Sequence, residues 1–592
     1  MRLIVLDHVP EDIQLRHAWN QLVFRMENPQ VFYTWEWAIA VQRAYAKLIT
    51  PLVILACNDQ ELIGVAALAE KEQGRYVFLT SDTSDYCEFL CEPAIRSTFV
   101  ESIFAELQNR GATKVVLTNI PVDSQWPDEI SRASSKARYH LHMRRAYDCA
   151  QVHFPEPENR AFVKQGVLAK KKFRRNIREL MKRGGVEVRH ETEWSAIHAL
   201  LPEFIRAHIA RFLETGKPSN LLPEERRAFL EYLARELSSS GWVVFSRLLV
   251  GEMTAAWNYG FQFEGSWFWY QPTVSDSCPE FSPGDCLLSK IVEQACDSPE
   301  LTVVDLGLGA EGYKERFANA SRQTVYCELN RSGAQHWRAM MRHRAATVAM
   351  ASPKVESLVR SAFASISETR DHVHRLGLMG MLKAAGRRVR RRFFSQDRVD
   401  FFEWPAHAAA HHQSYPRLER LGSDILGTAA LQYGNDPSSL RFLMRSAQRL
   451  RSGRGEAFAL VGTDGIPLHF CWVTEFQGFY MAELNRRLDA PCENSVMIFD
   501  CFTPEPARGH GFFPQAIALL AAEMKLRGKS VWIFGAETNR SSVRGIEKSG
   551  FQYKFTLGRR RILFVDRTRD SMPSEGVQRA EGSLSSLKRS RS

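Results

Sequence analysis

The sequence predicts an α/β (α+β) protein whose mixed, largely antiparallel sheets are flanked by helices. An apolar run, a short polar turn with Gly or Asp and a second apolar run occur at 51–69 (PLVILACNDQELIGVAALA), 242–261 (WVVFSRLLVGEMTAAWNYGF) and 457–474 (AFALVGTDGIPLHFCWVT). Each reads as an antiparallel hairpin. Each is preceded by helix-forming residues, at 11–47, 194–239 and 416–451, and followed by a further strand, RYVFL, SWFWYQPTV and GFYMAEL. With 592 residues the chain is too long for one core, and the recurring order implies three copies of one supersecondary unit.

The copies continue alike, each with a helix and another strand: 97–111 and 112–120, 286–297 and 301–309, 513–528 and 529–537. This divides the chain into a first lobe (1–160), a second lobe (161–330), a basic helical linker (331–400), a third unit (401–566) and a Ser- and Arg-rich tail (567–592) that reads as disordered. Within the linker Val355, Leu358, Val359, Ala362, Phe363 and Ile366 fall on one helical face, and GRRVRRRFF closes it at 386–394.

A composition of 44% hydrophobic and 24% charged residues excludes a fibrous or mucin-like chain. No apolar run is long enough to span a membrane, and Asp7 and Glu11 interrupt any signal-peptide core, so a cytoplasmic protein is expected. The eleven cysteines form no CxxC pair, and no zinc-ligand spacing follows Cys87 and Cys91, so structural thiols and no metal are expected. The net charge of +11 is uneven: 164–183 carries +8 and 331–400 carries +10, which leaves −7 on the rest. Each basic segment reads either as a solvated helix or as a surface for an anion, and the linker also as one for a membrane or protein partner.

The most specific motif lies in the third copy. The strand SVMIFDCFT (495–503) runs into a turn with Arg508, Gly509, His510 and Gly511, and then into a helix with Pro514 in its first turn. Glycines at a strand-to-helix turn let backbone N–H groups approach a ligand, and the helix N-terminus suits pyrophosphate. Arg508 adds a charge-assisted bond. Here residues 401–566 resemble the GNAT acyl-CoA transferases, whose pyrophosphate loop reads Arg/Gln-x-x-Gly-x-Gly/Ala. Asn539, Ser542 and Glu547-Lys548-Ser549-Gly550-Phe551 also fit that family. The resemblance implies acetyl-CoA or another acyl-CoA as co-substrate, held by Thr503, Arg508, Gly509, His510, Gly511, Phe512, Asn539 and Ser542. Two positions depart from it: Phe513 replaces a small residue, and Ile546 stands where many members carry a leaving-group Tyr. Asp500 and Glu537, at strand ends, read as bases for an amine or as solvated carboxylates.

In residues 1–330, Asn28-Pro29, FYTWEW (32–37), SDYCEFL (84–90), FSPGDCLL (281–288) and VDLGLGAEGYKERF (304–317) resemble, as an ordered set, the CelD-like acetyltransferases of exopolysaccharide and cellulose biosynthesis. That family is similar to the FemAB aminoacyltransferases, which pair two GNAT-like halves. The resemblance implies tandem GNAT-like domains, with Ser282-Pro283-Gly284 opening a helix by the donor groove. It also implies site roles for Asp305, Gly309, Glu311, Tyr313 and Lys314, although the spacing DLGLGAEGYK matches loosely. Lys314 could neutralise a phosphate there. Gly307-x-Gly309-x-x-Gly312 also imitates a dinucleotide loop, but that fold needs further β-α units downstream. Trp267-Phe268-Trp269-Tyr270 reads as core, with a sugar or acyl groove as the alternative.

The expected activity is acyl transfer from CoA to an amine or saccharide acceptor, as in envelope or exopolysaccharide synthesis. The alternatives are a FemAB-like transferase using aminoacyl-tRNA, with 164–183 as its RNA contact, and an inactive scaffold. Nucleic acid enters in the tRNA reading and in the sharper reading of the linker 331–400, an amphipathic basic surface for RNA or anionic lipid.

Overall fold

A computed structural model describes residues 1–59, 61–309, 312–350, 394–405, 416–562 and 565–571. It divides into two compact units, Met1–Arg211 with Ser219–Glu356, and Phe212–Pro218 with Ser357–Ser592. The apolar stripe 355–366, the basic run as far as 393, Glu311 and the tail beyond 571 lie outside the described residues.

In the first unit the strands are β1 (Arg2–Leu6), β2 (Thr50–Asn58), β3 (Glu61–Glu72), β4 (Arg75–Phe78), the short β5 (Leu90–Cys91), β6 (Lys114–Pro121) and β7 (His140–His153). They continue with β8 (Val186–Glu191), β9 (Val243–Val250), β10 (Met253–Phe263), β11 (Ser266–Val274), β12 (Val303–Asp305) and β13 (Ala320–Asn330). They form one sheet in the order β1-β2-β3-β4-β6-β13-β7-β12-β11-β10-β9-β8, with β5 beside β3. Pairing is antiparallel except at β4·β6 and β11·β12.

The order at the middle of the sheet is an exchange. β13, the last strand of the second lobe, lies between β6 and β7 of the first, while β7 lies between β13 and β12 of the second. Leu329 and Cys327 on β13, fully buried, belong to the same apolar cluster as Leu117 and Phe99 of the first lobe. Residues 1–160 and 161–330 therefore share a sheet, and each lobe contributes a strand to the apolar core of the other. The second cluster gathers Val152, Trp267, Trp269, Leu288 and Val304. Phe268 turns to the opposite face, within 5.3 Å of the Phe32 ring, so the aromatic strand is core on both sides.

In the second unit the strands are β14 (Phe394–Glu403), β15 (Arg417–Arg420), β16 (Glu456–Val461), β17 (Pro467–Glu475), β18 (Phe479–Met481), β19 (Arg486–Leu488), β20 (Ser495–Phe502), β21 (Ser530–Ala536), β22 (Gln552–Ile562) and β23 (Val565–Ser571). The main sheet runs β15-β16-β17-β20-β21-β14-β22-β23, and β18 and β19 form a separate hairpin.

Three expectations are corrected. The linker is not helical up to 400: a helix covers Gly333–Met350, but Phe394–Asp400 already belong to β14, which inserts between β21 and β22. The alternation that puts Val399 and Phe401 inside is what draws it into the sheet. GFYMAEL is not the third strand of the meander, because β18 turns back on β19 through Asn485 at φ +52°, and β20 pairs with β17 instead. Residues 567–571 lie in β23 rather than in a tail.

Candidate active site

In the second unit, β17 and β20 are paired with a slip: Phe470 faces Phe502 but Trp472 faces Phe499, so β20 carries an extra residue. This β-bulge bends the strand, and Asp500 within it has φ +47°. The parallel register of β20 and β21 runs from Ser495↔Ser530 to Ile498↔Ile533 and stops there, so the two strands part at the bulge. The chain then passes Thr503 and a turn at Glu505–Ala507, and enters the helix Phe512–Leu526 through Gly509 (φ +84°) and Gly511 (φ +79°). Those angles lie in the left-handed region that glycine takes without strain. The helix start has no side-chain cap and no acid in its first turn. Its leading N–H groups, Phe512 and Phe513, therefore form the uncapped positive end of a helix dipole.

The residues expected around this turn have definite partners. Arg508 Nε donates to the Thr503 carbonyl at 3.1 Å, and the His510 ring stacks on Phe512 at 5.8 Å. Asn539 caps its own helix, Arg540–Lys548: its Oδ1 accepts from the Ser542 N–H at 3.3 Å and the Ser541 hydroxyl at 2.9 Å. Asp500 is ion-paired with Arg449 at 2.9 Å, and that guanidinium lies over the rings of Trp472 and Phe499. Glu537, half exposed, lies 3.3 Å from Arg398. Both carboxylates thus answer a cation. Ile546 is buried in the core and offers no proton.

Phe513 is accommodated by a second departure from side-chain bulk. A Cβ at Gly545 would lie 2.6 Å from Phe513 Cδ1, so the glycine makes room for the ring. The same ring lies 5.4 Å from His469, whose Nδ1 is 2.7 Å from Thr503 Oγ1.

The equivalent helix entries in the first unit are closed. In the second lobe β11 carries the same kind of slip, with Tyr259 facing Gln271 but Phe261 facing Phe268, and its parallel contact with β12 ends at Phe268↔Asp305. The helix Pro283–Asp297 follows Ser282 at φ +48°, but its first turn holds Asp285, which pairs with Arg316 at 3.0 Å and Lys172 at 3.8 Å. A carboxylate thus stands in the first turn of this helix. In the first lobe a turn at Pro93–Ile95 leads directly into the helix Arg96–Asn109 in helical geometry.

The first unit instead assembles a buried polar cluster between its lobes. Asp305 accepts from the Tyr86 hydroxyl at 2.7 Å, Gln151 Nε2 at 2.8 Å and the Gly307 N–H at 2.8 Å. Lys314, buried, donates to the Leu308 carbonyl at 2.7 Å. Asp85 approaches so closely that a Cβ on Gly307 would lie 2.6 Å from its Oδ2. Burial, and then the Asp305 charge, push the Asp85 carboxyl up to about 7, against the pull of Lys314, Arg226 and the Leu308 N–H. Burial likewise pushes Glu88 up to about 7, opposed first by Arg322, whose guanidinium lies 4.8 Å from the Tyr86 ring. Carboxyls held near neutrality in a cluster of cations are suited to acid–base work.

Sequence reasoning placed Asp305 and Lys314 here and missed Asp85, Glu88 and Arg322. SDYCEFL carried two of these carboxyls, without a sign that they would be half-buried beside Asp305 and Arg322. The glycine pattern at 307–312 opens no helix, since a turn at Lys314–Arg316 and antiparallel β13 follow, and this excludes the dinucleotide loop. Gly307, at φ +71°, is needed for its angle and for the closeness of Asp85.

On the basic segment, Lys164 pairs with Asp297, Lys172 with Asp285, Lys182 with Glu179 and Arg183 with Glu280. Lys171, Arg174, Arg175 and Arg178 of the helix Lys171–Lys182 have no ion pair among the described residues. A groove of about 500 Å³ runs beside them, lined by Phe173, Arg174, Arg178, Lys290 and Asp297. Among the described residues no helix is long and apolar enough to cross a membrane.

Residues 169–315 match the family model of the acetyltransferase (GNAT) domain, a match that falls on the second lobe rather than on the third unit. No curated protein sequence matches the chain. Among solved structures, FemX is similar at 10% identity and a TM-score of 0.41, over 57% of this chain and 99% of that one. The C-terminal domain of a putative lysylphosphatidylglycerol synthetase from Agrobacterium fabrum is similar at 10% identity and a TM-score of 0.37, over 55% and 94%. A tandem GNAT protein from the clavulanic acid biosynthesis pathway is similar at 10% identity and a TM-score of 0.32, over 55% and 98%. The second lobe thus carries a GNAT acetyltransferase-type domain, within a mixed α/β sheet that it shares with the first.

Proposed function

We propose that the protein is an acyltransferase that takes its acyl group from acyl-CoA and passes it to an amine or a sugar hydroxyl. The observation that carries this reading is the open helix N-terminus after Gly511, placed where β20 bulges away from β21. The N–H groups of Phe512 and Phe513 and the side chain of Arg508 would hold a pyrophosphate, and the gap between the strands leaves room for a slender arm. Backbone N–H groups freed at the bulge would polarise a thioester carbonyl, and the remaining work is to orient donor and acceptor. With Ile546 buried, proton delivery to a departing thiolate falls to another group or to water.

Calorimetry of CoA binding to the full chain tests this. Gly511→Glu puts a carboxylate at the helix start and displaces two charge-assisted N–H bonds worth about 1.5–3 kcal/mol each, so affinity should fall by roughly 10²–10⁴-fold. Equal affinity in the two proteins refutes the site.

The four unpaired basic residues of Lys171–Lys182 favour a second reading, a FemAB-like transfer from aminoacyl-tRNA by the first unit. In that case filter binding would show tRNA retention that falls steeply with salt, and Arg174→Glu with Arg175→Glu would remove it. A role in exopolysaccharide or envelope synthesis, in the cytoplasm, accords with either reading.

A further inference from the structure

We propose that His469, Cys471 and Cys501 bind a thiophilic divalent cation of the zinc class. His469 and Cys471 are two apart on β17, so both side chains point to one face of the sheet. Cys501 lies on β20 next to Asp500, in the bulge that faces them. A ring nitrogen of His469 and the two Sγ atoms all lie within 4.8 Å of one another. Tetrahedral ligands at zinc bond lengths of about 2.0–2.3 Å stand roughly 3.4–3.8 Å apart, so small side-chain rotations close the set.

The histidine keeps one ring nitrogen without a hydrogen-bond partner. One ring nitrogen, Nδ1, is fixed by the Thr503 hydroxyl at 2.7 Å, while Nε2 is buried without a hydrogen-bond partner. His469 and Cys471 are each 1% exposed, and a buried imidazole nitrogen left unpaired costs free energy unless something binds it. Two sulfurs and one imidazole favour zinc over magnesium or calcium, and three protein ligands leave a fourth position open. Binding converts both thiols to thiolates and releases two protons to solvent for each metal. The cation would tie β17 to the bulge of β20 directly under the glycine turn. The inference is independent of the acyl-CoA reading, because its readout is the metal alone.

The test uses the full chain, reduced and freed of metal with a chelator, titrated with Co²⁺ and then Zn²⁺. One equivalent of Co²⁺ should produce a sulfur-to-cobalt charge-transfer band and the visible bands of a tetrahedral centre, and Zn²⁺ should abolish both. Cys471→Ser and Cys501→Ser should each lose the charge-transfer intensity of one thiolate, whereas Ser at the exposed Cys492 should change nothing. Thr503→Ala, which removes no ligand, should weaken Co²⁺ binding about 10–100-fold. If the unaltered protein shows no such band, or forms a Cys471–Cys501 disulfide without taking up metal, the proposal is overturned. That outcome does not depend on whether a variant folds.

Discussion

Replacing Asp85 by Asn should stabilise the first unit at alkaline pH while removing a carboxyl held near neutrality. The Asp85 carboxyl is pushed up to about 7, above an ordinary value of 3.8, first by burial and then by the Asp305 charge. Below pH 3.8 the carboxyl is protonated in both folded and unfolded chains, and it contributes no pH dependence. Between 3.8 and about 7 the unfolded chain gives up its proton while the folded one keeps it, so stability falls as pH rises. Above 7 both forms are ionised and the loss levels off. A shift of about three units at 1.36 kcal/mol each comes to about 4 kcal/mol. Asn cannot ionise, and its oxygen can still accept the Leu308 N–H. Urea unfolding followed by tryptophan fluorescence should show the variant more stable than the parent by several kcal/mol at pH 8, with the advantage shrinking to about zero at pH 4. Turnover dependent on Asp85 as base should rise through pH 7 in the parent and be lost in the variant. A variant less stable at pH 8, or a difference that does not vary with pH, would refute the burial argument.

Leu329→Ala tests the strand exchange: it opens a cavity in a fully buried position and should cost about 2–5 kcal/mol. Hydrogen exchange should accelerate in β6 and β7 of the first lobe, although Leu329 lies at the end of the second, and acceleration confined to residues after 161 would count against the shared core. Gly545→Ala would ordinarily stabilise a helix, but here its Cβ meets Phe513 at 2.6 Å, so a loss of about 1–3 kcal/mol is expected. Phe513→Leu in the same chain should recover it, and a stabilising Gly545→Ala alone would show that the ring is free to move.

The recurring hairpins at 51–69, 242–261 and 457–474 were legible because period-2 apolar runs and their turns are local. β13 was not assignable to the first lobe, because its alternation suits any central strand and a neighbour's identity is set by tertiary pairing. The same holds for β14, whose partners on β21 lie 129–137 residues downstream. At the glycine turn, the angles at 509 and 511 follow from residue type, but the room for Phe513 comes from Gly545, 32 positions away. Asp85 and Glu88 lay within a quoted motif, yet a carboxyl's proton affinity depends on what covers it. His469, Cys471 and Cys501 share no recognisable spacing, because the bulge in β20 brings the third to the other two.

The second lobe and the third unit differ at the entry to the helix that follows a bulged strand. In the second lobe Asp285 occupies that entry, and burial raises its proton affinity while Arg316 and Lys172 lower it. A pyrophosphate there would displace or repel a carboxylate already satisfied by two cations, a cost that the third unit, with no acid in its first turn, does not carry. The charge pattern follows from this. Part of the +8 at 164–183 is consumed inside the unit, Lys172 by Asp285 and Lys164 by Asp297. What remains for an external anion is the four unpaired residues of one helix and Lys170, whose ammonium donates to the Arg316 carbonyl. The match to the GNAT model and the proposed cradle thus fall on different units: residues 169–315 carry the family's sequence pattern but hold Asp285 in the first turn of their helix, whereas the helix Phe512–Leu526 has no acid there. The proposed binding of CoA and the titration of Asp85 are therefore separable measurements. Gly511→Glu should abolish the first without moving the pH-dependent stability that Asp85→Asn reports.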